Sequence, residues 1–126
     1  MNRQPYSCGL EAALDVVGGK WKPLVLWRLA QGPRRFGELR RLVSGISEKM
    51  LIQQLREMEQ DRIVDRNDFR EVPPRVEYSL TPFGVSLTVA LRPLCDWGSK
   101  HMACIEETKS NGEAKKCEAT ALPGMP

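Results

Sequence analysis

Four cysteines and one histidine are the residues with reactive side chains: Cys8, Cys95, Cys104, Cys117 and His101. The cysteine spacings of 87, 9 and 13 residues contain no short C-x-x-C pair of the metal-binding or redox type. His101 and Cys104 stand three apart on an expected helix, but two ligands make a poor zinc site, so no metal and no cofactor is expected. A lone histidine, with no Gly-rich phosphate loop, nucleophile elbow or H-E-x-x-H, argues against an enzyme. A second set of residues has different chemistry. Lys49, Gln53, Arg56 and Gln60 are spaced so that one helix would carry them along one side. Arginine can fork onto guanine, glutamine can pair with adenine, and lysine can reach guanine or phosphate.

The helix that must position them can be tested by rotation. At about 100° per residue, Leu51, Leu55 and Met58 share one narrow face, and the four polar residues lie roughly 140° to 200° away from Leu51. Ser47 caps this helix, and Glu48 in its first turn suits the helix dipole. Taken alone, the pattern equally fits a plain amphipathic surface helix, so the neighbouring elements decide. Upstream, three short helices are expected. The first covers Leu10–Val17, with a stripe of Leu10, Ala13, Leu14 and Val17, and Gly18 and Gly19 stop it. The second covers about Lys20–Ala30, with Trp21, Leu24, Val25 and Leu29 inward, and Pro23 is tolerated near its start. The third covers Phe36–Leu42.

Downstream, Ile63–Phe69 and Arg75–Leu80 read as strands. Pro73 and Pro74 between them imply an extended loop rather than a tight turn. Thr81 and Pro82 open a last helix reaching about Thr108, in which Pro93 should cause a kink or a break. The order is that of a winged helix-turn-helix: mainly α with a small β wing. Such a layout can place a helix in the major groove and a wing beside it. Residues 1–109 form the expected DNA-binding and dimerisation domain, and residues 110–126, polar with scattered Gly and Pro, an expected disordered tail.

Charge is consistent with this reading. Residues 1–81 hold 14 Lys/Arg against 11 Asp/Glu, while residues 82–126 hold five of each, so the net charge of +3 lies where a nucleic-acid footprint would be. Candidate DNA contacts are Ser47, Lys49, Gln53 and Arg56 on the fourth helix, Arg35 among the four arginines before it, and Arg70 and Arg75 at the wing. The competing possibility is a winged-helix module that binds another protein. No apolar run is long enough for a membrane span, and the first nine residues lack a signal-peptide core, so a cytoplasmic protein with mostly reduced thiols is expected.

The sequence resembles the HxlR family of bacterial winged-helix regulators, which is related to the MarR type. The match rests on Cys8 with Leu14-Asp15-Val16-Val17-Gly18-Gly19-Lys20-Trp21, on Phe36-Gly37-Glu38-Leu39-Arg40-Arg41 followed by Ile46-Ser47-Glu48-Lys49-Met50-Leu51, and on Val76-Glu77-Tyr78-Ser79-Leu80-Thr81-Pro82-Phe83-Gly84. The resemblance implies a homodimer joined through its first and last helices, bound to a pseudo-palindromic operator, with repression as the expected outcome. It also implies that Cys8 is a thiol switch responding to oxidants or electrophiles such as quinones. Cys104 or Cys117 is the expected resolving thiol, with the choice open.

Overall fold

A computed structural model describes residues 5–111. Along the chain run α1 (Gly9–Val17), α2 (Trp21–Leu29), α3 (Phe36–Leu42), α4 (Glu48–Gln60), β1 (Val64–Asp68), β2 (Val76–Leu80) and α5 (Pro82–Asn111). The chain divides into two units, with the boundary between Ala90 and Leu91. In the first unit, α2, α3 and α4 surround a core that includes Val25, Leu26, Leu39, Leu51, Leu55, Met58 and Ile63. Such apolar burial is the main favourable term in folding.

The helix starts and stops follow from local chemistry. The Ser47 hydroxyl accepts a hydrogen bond from the Met50 N–H at 3.1 Å, satisfying one of the donors that a helix N-terminus leaves free. At the other end of α4, Arg62 adopts a left-handed backbone (φ 61°), and the Ile63 N–H reaches back to the Met58 carbonyl at 2.9 Å. That contact closes the helix in the manner usually given to glycine. The expected α2 face needs correction: Leu24 is 43% exposed, whereas Leu26 is fully buried. The nine residues of α2 are apolar on nearly every side, so periodicity could not fix which side turned inward.

The wing is an antiparallel pair in register Val64↔Leu80 through Asp68↔Val76. A bridge extends it. Arg34 and Tyr78 exchange both backbone hydrogen bonds, at 2.9 and 2.7 Å, and so fasten the entry to α3 onto β2. The junction into α5 is built on Thr81. Its N–H donates to the Ile63 carbonyl at 3.0 Å, its hydroxyl donates to the Arg62 carbonyl at 2.6 Å, and that same oxygen accepts from the Gly84 N–H at 3.0 Å. One side chain therefore caps α5 and holds it to the end of α4. Gly84 permits the approach: a Cβ there would lie 2.2 Å from the Ile63 carbonyl oxygen.

α5 is continuous through Pro93, which corrects the expected break. A proline removes one hydrogen bond from a long ladder, and the turns on either side can keep their own bonds. α5 also extends to Asn111, so residues 110 and 111 are helical. The remainder of the expected tail lies outside the described residues. In the second unit, Leu94, Trp97 and Met102 are exposed, and the Trp97 and His101 rings meet at 5.0 Å between centroids. Among the described residues, no helix is long and apolar enough to cross a membrane.

Candidate nucleic-acid interface

The core face of α4 is Leu51, Leu55 and Met58, each at most 1% exposed. That burial fixes the helix azimuth and turns the opposite side outward. Lys49, Gln53, Arg56 and Gln60 are all exposed there. With Glu48, Ile52 and Glu57 they line one continuous shallow surface.

Two carboxylates border this surface, and both have basic partners. Glu57 pairs with Lys22 of α2 at 3.2 Å, and Glu48 pairs with Arg40 of α3 at 3.7 Å. Among the described residues no carboxylate pairs with Lys49 or Arg56, so their charge is directed outward. The Arg40–Glu48 pair is exposed and adds little stability, whereas the Lys22 side chain is largely buried. The effect of both pairs is on the local field, because the acids that would repel a polyanion are already occupied. This arrangement could not be read from α4 alone, since both partners come from other helices.

Arg35 is exposed at the start of α3, where its backbone N–H donates to Glu38 at 3.0 Å. Its neighbour Arg34 is turned inward, toward Glu38 at 3.8 Å and Gln31 at 3.1 Å. At the wing the two candidate arginines differ. Arg70 is exposed, with a left-handed backbone (φ 52°) and its N–H bonded to the Asp68 carboxylate at 2.9 Å. The Arg75 guanidinium lies over the Phe69 ring at 3.8 Å, 3.1 Å from Glu71 and 3.8 Å from Glu77. Arg75 thus clamps the two sides of the wing loop, and its charge is met by two carboxylates. Val72 stands at the tip, 99% exposed.

Cys8 occupies the N-cap position of α1 and is an exposed, free thiol that makes no capping hydrogen bond. The backbone N–H of Glu11 is the largest influence on it and lowers its pKa below the ordinary thiol value; desolvation opposes this, and the Leu10 N–H and Ser7 hydroxyl add to the lowering. The Ser7 hydroxyl also bonds the Glu11 carboxylate, and the Tyr6 hydroxyl bonds Asp15, so the segment around Cys8 is held against α1. Cys95 is a half-buried free thiol. Cys104 is disulfide-bonded. Cys117 lies outside the described residues.

Sequence reasoning missed Ile52, which is 36% exposed on the outward surface between Lys49 and Arg56. The available signal was its rotation of about 100° from Leu51, outside the buried stripe. It also missed the partners of Arg75, which only the closed wing brings together.

Comparison with known proteins agrees with this geometry. The chain is 47% identical over 108 residues to the HTH-type transcriptional regulator YkvN of Bacillus subtilis, covering 86% of this chain and 89% of that protein. Among solved structures, it is similar to the redox regulator HypR in its oxidised form, with a TM-score of 0.71 and 45% identity over 74% of this chain and 96% of that one. It is also similar to diamide-treated YodB from B. subtilis, with a TM-score of 0.64 and 34% identity over 74% of this chain and 93% of that one. These relatives are regulators rather than enzymes. The model of the HxlR-like helix-turn-helix family matches residues 16–106, and with the winged architecture and the outward basic face of α4, this chain belongs to that family of transcription regulators.

Proposed function

We propose that the protein is a sequence-specific repressor that acts as a homodimer on a pseudo-palindromic operator and is released when Cys8 reacts with an oxidant or an electrophile. The observation that carries this reading is the outward side of α4, where, among the described residues, no carboxylate pairs with Lys49 or Arg56 and the bordering acids are occupied by Lys22 and Arg40. In the major groove, Arg56 and Gln53 face base edges and Lys49 a guanine or a phosphate. Ser47 and Arg35 lie at the N-terminal ends of α4 and α3, where phosphate contacts set register. At the wing, Arg70 supplies the free charge, and Arg75 holds the loop that presents it.

Dimerisation is supported by apolar surface that a single chain leaves in water. Leu10 and Leu14 on α1 are 68% and 55% exposed. Phe83 and Val89 at the start of α5, and separately Leu94 and Trp97 further along it, are also exposed. Apolar side chains left exposed at this size are those that a protein partner can cover. A two-fold axis would set the two α4 helices roughly 34 Å apart, one turn of duplex DNA. For Cys8, the support is its exposure, its lowered pKa and the likeness to HypR and YodB, the first a redox regulator and the second solved after diamide treatment. The site of action is the cytoplasm.

The test is footprinting on the DNA upstream of the protein's own gene, with and without diamide, across a range of salt. The expected result is a protected two-fold site whose affinity falls steeply with salt and which diamide releases. A purified protein that ignores duplexes at low ionic strength would exclude the proposal.

A further inference from the structure

We propose that Ile52 reads the C5 methyl group of a thymine in the major groove and is therefore a specificity-determining residue of α4. The inference rests on the DNA-binding reading above. On the outward surface formed by Glu48, Lys49, Ile52, Gln53, Arg56, Glu57 and Gln60, Ile52 is the apolar member. It does not belong to the core: Leu51 beside it is fully buried, whereas Ile52 is 36% exposed. On a helix, its neighbours along the surface are Lys49 three residues before and Arg56 four residues after. If those two side chains engage the duplex, Ile52 is carried into the groove between them.

The chemistry of the groove then selects the base. Major-groove edges carry hydrogen-bond donors and acceptors, and the one prominent apolar group among them is the thymine methyl. An isoleucine pressed against a polar edge would strip water from it and return no hydrogen bond, which is costly. Against a methyl group, both surfaces leave water together, which is favourable. The β-branched side chain is nearly fixed at χ1 in a helix, so it has little rotamer freedom to lose on contact. Arg56 and Gln53 read donors and acceptors, and Ile52 adds the apolar element that polar side chains cannot supply.

The experiment uses the full chain and an operator selected by it from a pool of randomised duplexes. Each thymine of the selected site is replaced in turn by deoxyuridine, which removes only the methyl group. The expected result is one thymine per half-site at which deoxyuridine weakens binding about fourfold, the scale of one buried methyl. Ile52→Ala should bind the thymine and deoxyuridine operators alike at that position. Selection repeated with Ile52→Gln should lose the thymine there in favour of adenine, which glutamine pairs. The proposal is overturned if no deoxyuridine position weakens the wild type, if Ile52→Ala keeps the penalty, or if Ile52→Gln still selects thymine. A protein that selects no sequence fails the DNA-binding reading itself. One that selects an operator without methyl dependence fails only the role of Ile52.

Discussion

Arg56 illustrates how a single side chain's role depends on what its neighbours leave undone. It is exposed, and no carboxylate pairs with it among the described residues. Arg56→Ala is expected to weaken operator binding by about 1–3 kcal/mol and to relax base preference at one position, read by fluorescence anisotropy on operator variants. A uniform loss across all sequences would assign it to phosphate instead. Cys8 is expected to react with iodoacetamide faster than the half-buried Cys95. Its rate should reach a plateau at lower pH than a free cysteine, because the first-turn N–H groups, Glu11 foremost, favour the thiolate. Cys8→Ser should keep operator binding and lose release by diamide; release that persists would move the switch elsewhere. Lys49, Gln53 and Arg56 were legible in the sequence because one helix's rotation places them. The engagement of Arg75 was not, because Phe69 reaches it only once the wing has closed, and the loop fold then sets Glu71 beside it.

The elements owe their bounds to caps and close approaches. Ser47→Ala removes the acceptor for the Met50 N–H and is expected to cost about 1 kcal/mol of stability, read by urea unfolding. Gly84→Ala should cost about 3 kcal/mol or more, since its Cβ would meet a backbone carbonyl rather than a flexible side chain. A thermal midpoint unchanged by this substitution would contradict the packing of the start of α5 on Ile63, between α4 and β1. The order of helices and strands was readable because amphipathic period, glycine stops and the Thr81-Pro82 start all agree along the chain. The inward face of α2 was not, because Leu24 and Leu26 are equally apolar and only packing distinguishes them.

For the molecule as a whole, the dominant unmet requirement is cover for the apolar surface of α1 and α5. A domain of this size buries a limited share of its own surface, so a second copy is a natural source of cover. Leu14→Glu is expected to shift the protein to a monomer in sedimentation velocity and to weaken operator binding by about 2 kcal/mol or more, since one half-site would then be held alone. A dimer that survives this change would place the interface away from α1. The monomeric variant should keep the far-UV spectrum of the wild type, because Leu14 is outside the core.

The sequence by itself determined the winged architecture, the azimuth of α4 and the basic, amide-bearing side opposite Leu51, Leu55 and Met58. These follow from interactions within a few residues, where helical period and capping chemistry act. The tertiary structure alone decided which charges are free. Glu48 and Glu57 meet Arg40 and Lys22 from other helices, and Arg75 is enclosed by its own wing. Ion pairing depends on distances of a few ångströms between side chains, and for Lys22–Glu57 and Arg40–Glu48, which lie on different helices, only folding sets those distances.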